Sequence, residues 1–194
     1  MKKLFGLLIL TFIAGNAVHV FAEDCKVGEV RAEGYVFYCD NSSPKKLPDG
    51  KIGLEATLVD QSTSQVWSNI TDASLYDNKE ANNHEAIGEG QKNTDAIMTQ
   101  AGHRTSAAKI CKDQTIGGHT DWFLPSTQEF AQIYKTYADL PANSGVSGFG
   151  LPQHLYWTST EYSSTEAQVQ YSNYWFHNFA GKENSNYVRC ARAF

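Results

Sequence analysis

Residues 117–130 read GGHTDWFLPSTQEF, and the end of this stretch marks the start of a helix. Ser126 and Glu129 form a capping box, in which each side chain satisfies a backbone N–H group that the first helical turn leaves without a partner. Apolar and aromatic residues follow at the spacing i, i+3, i+4 and i+7: Phe130, Ile133, Tyr134 and Tyr137. This spacing predicts an amphipathic helix whose apolar face belongs to the core.

The residues on either side of this helix follow a pattern that predicts an α+β fold. Another helix is expected from Thr94 to Cys111, with Gly102 as a candidate break, after an irregular surface loop over residues 71–93. Clusters of β-branched and aromatic residues predict strands at 34–38, 52–59, 156–158, 174–176 and 187–191. Two central helices between antiparallel strands at both ends of the chain are typical of the α+β class.

The first 22 residues differ in character from the rest of the chain. Two lysines precede an apolar run over residues 4–14, and small residues follow at the −3 and −1 positions before Glu23. This pattern is typical of a secretory signal peptide, with a retained membrane anchor as the alternative. We therefore expect a signal peptide over residues 1–22, a single domain over 23–194, and a secreted, periplasmic or cell-surface location.

The charge balance excludes one class of partner. The chain has 16 Lys and Arg residues against 21 Asp and Glu residues, a formal charge of −5, which becomes −7 without the two lysines of the signal peptide. Because no basic stripe occurs, non-specific nucleic-acid binding is not expected. Polyanionic glycans are disfavoured too, unless Lys45, Lys46 and Lys51 form a local patch. The sequence leaves the ligand and the oligomeric state open.

The four cysteines predict two disulfides. An even number of cysteines in an exported chain favours disulfide bonds, and four cysteines allow three pairings. We favour Cys25–Cys39 with Cys111–Cys190, because this pairing closes the N-terminal segment and ties the last strand to a central helix. A metal site is the rival interpretation, but the chain has no Cys-x-x-Cys and no His-x3-5-His spacing.

Four motifs, in order, resemble the Lcl C-terminal domain family, a group of exported bacterial domains. GGHTDWFLPS at 117–126 resembles the family's GGxxDWRLPT signature, and GYVFY at 34–38 resembles its early strand. YWTSTE at 156–161 and YVRCAR at 187–192 resemble its YWSSTE and YVRCVR motifs. The resemblance spans about residues 27–194. Phe123 stands where the family usually has Arg, so a salt bridge made by that Arg is absent here.

The resemblance implies a C-type-lectin-like fold of the formylglycine-generating-enzyme branch. In that fold the two termini lie together, and the irregular segment before the last strands builds the ligand face. Relatives include adhesin domains that bind host polysaccharides and receptors diversified by retroelements. The resemblance also implies structural roles for the motif residues: Asp121, Trp122, Leu124, Pro125, Trp157, Glu161 and Arg189. We expect Trp157 in the core and Asp121 in a turn, accepting backbone hydrogen bonds.

The aromatic and amide-rich segment 157–187 is the predicted binding face. Aromatic rings flanked by amides and hydroxyls suit both sugars and protein surfaces. The candidate ligand-binding residues, of which all but Tyr174 and Trp175 are expected to be exposed, are Tyr171, Asn173, Tyr174, Trp175, His177, Asn178, Asn184 and Asn186.

Catalysis and metal binding are the alternatives. Glu161 and Glu166 would be the acid pair of a glycosidase, and Cys111 or Cys190 the nucleophile of an oxidase. No catalytic residue, metal ligand or cofactor is expected; calcium-binding lectin motifs are missing, and a structural calcium ion stays an open alternative. The sequence therefore predicts a non-enzymatic, adhesin-like domain that binds a glycan or a protein outside the cytoplasm, with no membrane span after signal cleavage. A retroelement-diversified receptor and an extracytoplasmic enzyme remain the alternatives.

Overall fold

The structure, a computed structural model, describes residues 25–48, 50–76, 84–149, 154–171 and 177–194. The predicted signal peptide lies outside these residues. Within them the strands are β1 Gly34–Cys39, β2 Gly53–Thr57, β3 Ser62–Val66, β4 Leu155–Glu161, β5 Glu166–Tyr171, β6 His177–Gly181, β7 Ser185–Val188 and β8 Ala191–Ala193. The helices are α1 Gly90–Thr99, α2 Ala107–Lys112 and α3 Thr127–Asp139. The α+β class predicted from the sequence is confirmed.

Two sheets organise the chain. The first has the strand order β1-β2-β8 and is antiparallel, so it joins the early part of the chain to the last strand. The second has the order β3-β7-β4-β5-β6, antiparallel apart from one parallel contact between Tyr156 of β4 and Tyr187 of β7. Cys25 and Phe194 both lie against Gly53 of β2. The two ends of the described chain therefore meet, as the resemblance implies.

The helical region contains three helices rather than the predicted two. Gly102, which has a φ of +81°, lies between α1 and α2 and ends the helical pattern there. Ser106 then caps α2, because its hydroxyl accepts a hydrogen bond from the Lys109 amide at 2.9 Å. The start of α1 is also earlier than predicted, at Gly90 instead of Thr94. Thr94 is inside the helix, where its hydroxyl bonds the backbone of Leu124.

The capping box of α3 forms as the sequence predicts. The Ser126 hydroxyl accepts from the Glu129 amide, and the Glu129 carboxylate accepts from the Ser126 amide at 2.8 Å. The predicted apolar face contributes Phe130 and Ile133 to the core, fully buried. Tyr134 and Tyr137 are partly buried at its margin. This helix therefore lies on β1 and on the second sheet, with its outer side in solvent.

Strand β4 separates two hydrophobic cores. Tyr156 packs with the cluster around Phe37, Phe130 and Phe149, whereas its neighbour Trp157 packs with the cluster of α1, α2 and Trp67. Successive residues of a strand point to opposite faces, which explains this division. The prediction that Trp157 belongs to the core is confirmed, since it has no exposed surface.

Strands β3, β5 and β6 were missed by the sequence analysis. β3 and β5 read STSQV and EAQVQY, with too many polar residues for a recognisable strand pattern. β3 pairs with β7, and β5 lies between β4 and β6, so pairing partners rather than local propensity form them. The predicted strand at 174–176 lies outside the described residues.

Both predicted disulfides, Cys25–Cys39 and Cys111–Cys190, are present. The first closes a short loop beside β1. The second ties α2 to the segment before β8. Among the described residues, no helix has the length and apolar character needed to cross a membrane.

The loop lengths predict unequal contributions of the two disulfides to stability. The bridged cysteines are 14 and 79 residues apart. On the loop-entropy model, replacing Cys111 and Cys190 by Ala should lower the free energy of unfolding by about 4.5 kcal/mol, and replacing Cys25 and Cys39 by about 3 kcal/mol. Urea unfolding of both double variants measures the order. A larger loss for the Cys25–Cys39 pair would contradict this account.

Candidate functional site

An exposed aromatic pair lies at the outer side of the second sheet. Tyr162 follows β4 and Phe179 lies on β6, the edge strand, and their rings are stacked with centroids 3.6 Å apart and an interplanar angle of 17°. Tyr162 is 45% exposed and Phe179 38% exposed. They are the exposed aromatic residues of the described chain. Such a pair presents apolar surface to solvent and is a candidate contact point for a ligand.

Two polar side chains of β5, Gln168 and Gln170, extend this surface from the edge of the sheet toward its interior. Gln168 pairs directly with Phe179 across the strands, so the two share a face of the sheet. The Gln168 amide donates to the Glu85 carboxylate, and its carbonyl oxygen accepts from the Thr127 hydroxyl at 2.6 Å. Gln170, two residues along the same face, is buried, and its Oε1 has no hydrogen-bond partner in the described part of the chain. We call Tyr162, Phe179, Gln168 and Gln170 the aromatic patch.

The described candidate residues of the sequence analysis are spread over three strands and a turn. Tyr171 ends β5, half-buried, and Asn178 is exposed on β6 beside Phe179. His177 begins β6, and only its backbone is described. Asn184 is exposed in the turn between β6 and β7. Asn173, Tyr174 and Trp175 lie outside the described residues, although residues 172–176 connect β5 to β6.

One candidate residue is placed differently from the prediction. Asn186 lies on β7 opposite Gln65 and is only 8% exposed, so the expectation that it would be exposed is wrong. It lies two residues before Val188, which faces the core, and the strand period carries Asn186 to that same face. The sequence analysis also missed Tyr162 and Phe179. Their signal was an aromatic residue directly after the YWTSTE motif and another within the asparagine-rich segment.

Glu161, the last residue of the YWTSTE motif, forms a buried ion pair. Its Oε1 lies 2.6 Å from the Lys182 ammonium, and the side chains are 3% and 0% exposed. The other oxygen accepts from the Leu75 amide at 2.9 Å. The same ammonium donates to the carbonyl oxygens of Ala73 and Ser164. Both partners of this pair are therefore fully engaged in holding the 73–75 segment against β4.

Arg189, in the YVRCAR motif, fills a second buried position. Its guanidinium donates to Asp60 Oδ1 and to the Thr57 carbonyl oxygen at 2.8 Å, and also to the Ser147 carbonyl oxygen. It lies 4.3 Å from the centre of the Phe149 ring. The Arg189 side chain therefore has a structural role: it joins the end of β2 to the 147–149 segment.

The GGHTDWFLPS motif is partly as predicted. Trp122 and Leu124 are fully buried, and the Pro125 carbonyl oxygen accepts from the Ser159 amide at 2.8 Å. Asp121, however, accepts no backbone hydrogen bond within the described ranges. Its exposed carboxylate lies 3.8 Å from the Lys51 ammonium and 3.9 Å from Arg192. Its contribution is a loose surface ion pair instead of a turn.

Phe123 and Glu129 form an unusual pair of neighbours. Both lie against Gly90, where an added Cβ would be 2.1 Å from Glu129 Oε2 and 2.8 Å from the Phe123 ring. Burial raises the pKa of Glu129 to about 7, even though the amides of Ser126, Gly88 and Gly90 donate to its carboxylate and oppose the change. In the described residues no cation pairs with Glu129. Phe123, its apolar neighbour, offers this buried carboxylate no countercharge.

The geometry bears on the catalytic and metal alternatives. Cys111 and Cys190 are bonded to each other, so neither is a free thiol. Glu161 accepts hydrogen bonds from Lys182 and from the Leu75 amide, so each of its two oxygens has a structural partner. In the part of the chain that the structure describes, no three side chains among His, Cys, Asp and Glu come together as metal ligands.

Breaking the buried Glu161–Lys182 pair should be costly. Lys182→Met leaves Glu161 as an uncompensated buried charge, so we expect the free energy of unfolding to fall by about 3–5 kcal/mol. Lys92→Met is the matched control, since that ammonium is 70% exposed. It should cost less than about 0.5 kcal/mol. Chemical denaturation measures both variants. Adding Glu161→Gln to Lys182→Met should recover part of the loss; no recovery would contradict the ion-pair account.

The raised pKa of Glu129 predicts that the stability of the protein depends on pH. Its pKa is raised from 4.5 to about 7 in the folded state, so folding favours the protonated form. Its stabilising contribution is full below pH 4.5 and is lost as the pH rises through 7. We expect wild type to lose about 2–3 kcal/mol between pH 5 and pH 8 relative to Glu129→Gln. Denaturation at both pH values measures this difference. Glu183→Gln, at an exposed turn position, is the control, and equal profiles for all three proteins would refute the assignment.

Comparison with known protein families agrees with the motifs. Residues 56–192 match the Lcl C-terminal domain, a range that runs from β2 to β8 and contains the aromatic patch and both buried ion pairs described above. No curated protein matches the chain. Since the match covers well over half of the sequence, the chain belongs to the Lcl C-terminal domain family.

Proposed function

We propose that this protein is a non-enzymatic ligand-binding protein, secreted or exposed at the cell surface, that recognises a glycan or a protein through the aromatic patch. The observation that carries the proposal is the exposed, stacked pair of Tyr162, which follows β4, and Phe179, which lies on the edge strand β6. Tyr162 is 45% exposed and Phe179 38% exposed, so part of the apolar surface of the pair faces solvent. A ligand that covered this surface would gain apolar burial without any rearrangement of the sheet.

The chemistry of the surrounding residues suits such a ligand. Aromatic rings supply large contact area with few rotatable bonds, and neighbouring amides supply adaptable hydrogen bonds. Asn178 is exposed next to Phe179, and Gln168 and Glu85 lie behind the ring pair. A sugar places its C–H groups on an aromatic ring and its hydroxyls on amides and carboxylates. A protein ligand would use the same two kinds of contact.

The absence of a role in catalysis is part of the proposal. Glu161 and the two cysteines of the long-range disulfide were the strongest catalytic candidates, and each has a structural partner. Two disulfides support an oxidising compartment outside the cytoplasm, because thiols in the cytosol are kept reduced. The net charge of −5 favours an uncharged or cationic ligand over a polyanionic one.

The patch can be tested with a pair of alanine substitutions. We expect the double variant Tyr162→Ala/Phe179→Ala to bind its ligand at least about tenfold more weakly. Truncating an aromatic hot-spot residue typically costs about 1.4 kcal/mol or more of binding free energy, which corresponds to a factor of ten. The measurement is binding of the oxidised, signal-free protein to a glycan array. Val59→Ala is the control, as this residue is an exposed apolar side chain (49%) outside the patch.

The outcomes separate the two ligand classes. Selective glycan binding by wild type and by Val59→Ala, lost in the double variant, would identify a lectin-type adhesin. If no glycan binds a correctly folded sample, the same three proteins are used to capture protein ligands, and the double variant should again fail. Equal binding by all three proteins in either format would contradict the proposed site.

A further inference from the structure

A wide concave surface of the described chain lies away from the aromatic patch. It is an open groove of about 510 Å³ between β1 and the C-terminal half of α3. The aromatic patch, by contrast, adjoins the first residue of α3, Thr127. A ligand in the groove would therefore contact a different part of the helix and none of the patch residues.

One wall of the groove is a polar row on α3. Gln132, Lys135 and Asp139 occupy positions i, i+3 and i+7, which place them on one side of the helix. With a rise of 1.5 Å per residue, the row extends over about 10 Å, roughly the length of a disaccharide. The amide of Gln132 lies at one end of the row and the carboxylate of Asp139 at the other. These groups donate and accept hydrogen bonds in the way that pairs of neighbouring hydroxyls require.

The opposite wall combines an aromatic ring with an exposed amide. Tyr38, at the end of β1, is partly exposed into the groove, and Asn41 follows in the next segment. This wall is held rigidly. The Cys25–Cys39 disulfide ties it to the start of the described chain, and the buried Asp40 carboxylate accepts from the amides of Lys46 and Leu47 at 2.8 and 2.9 Å. A preformed wall costs little ordering entropy when a ligand binds.

The charges in the groove limit the class of ligand. Lys135 and Asp139 have opposite signs and lie one turn apart, so the helix wall has no net charge. The acidic protein as a whole repels polyanions. Phe37 and Thr136 close the floor, which gives the groove an apolar base below its polar rims. These features suit an uncharged molecule that has both apolar C–H faces and many hydroxyls.

We propose that the groove between β1 and α3 is a second binding site, and that it takes a neutral oligosaccharide of about two sugar units. The Tyr38 ring packs against a sugar face, and Gln132, Asp139 and Asn41 bind its hydroxyls. This site is independent of the proposed function of the aromatic patch. A protein with both sites would hold one extended glycan, or two separate ones, at two places on its surface.

The test uses a panel of neutral disaccharides and tetrasaccharides of glucose, galactose, mannose and N-acetylglucosamine, titrated into the oxidised, signal-free protein by calorimetry. We expect at least one to bind, and Gln132→Ala to weaken that binding by about fivefold through the loss of one or two hydrogen bonds. Gln132→Trp, which fills the groove, should abolish binding. Gln128→Ala is the matched control: the same change on the same helix, at an exposed residue that does not line the groove.

Each outcome decides the proposal. Binding that survives in Gln128→Ala and in Tyr162→Ala/Phe179→Ala, but is lost in Gln132→Trp at unchanged melting temperature, supports the groove. Binding that is lost in the patch variant and kept in Gln132→Trp would overturn the groove and support the patch. If no member of the panel binds a folded sample, the groove proposal is wrong, and the patch can still be judged by its own assay.

Discussion

The buried guanidinium of Arg189 is the contact on which the rest of the fold depends. It lies between β7 and β8, where the chain passes from the second sheet to the first. From that point it reaches Asp60, the end of β2 and the 147–149 segment, and it lies over Phe149 in one core while Cys190 enters the other. A buried charge costs several kcal/mol to desolvate, roughly, and is tolerated only when every donor has an acceptor. The surrounding segments must therefore converge on this side chain for the protein to fold.

Two other buried ion pairs extend the same principle. Lys182 with Glu161 holds the segment before α1 against β4, and Arg192 with Glu55 joins β8 to β2 inside the first sheet. All three pairs involve residues of the motifs or their direct partners. These motifs are accordingly architectural. Tyr162 and Phe179, which are exposed, and Gln132, which is partly exposed, lie on this frame without supporting it.

Structural features that depend on residues close together in the chain could be predicted from the sequence. The capping box at Ser126 and both disulfides were predicted from residue types and spacing, and the burial of Trp157 from the resemblance of its motif to the family. The strand β5 could not, since EAQVQY becomes a strand only between two pairing neighbours. The exposed pair that Tyr162 forms could not be predicted either, because its stacking partner Phe179 lies 17 positions later in the chain, on strand β6. Asn186 was misplaced because the face to which a strand residue points depends on register, which the sequence does not specify.

The edge strand itself limits how a ligand can bind at the patch. An unpaired edge invites another chain to extend the sheet through backbone hydrogen bonds. Here the Phe179 amide already donates to Asn178 Oδ1 at 2.9 Å, so a strand added at β6 would first have to displace that side chain. Tyr162 and Phe179, in contrast, are 45% and 38% exposed. Recognition at this edge therefore favours contact through ring faces and amides, which is open to sugars and to folded protein surfaces, over the addition of an extended peptide.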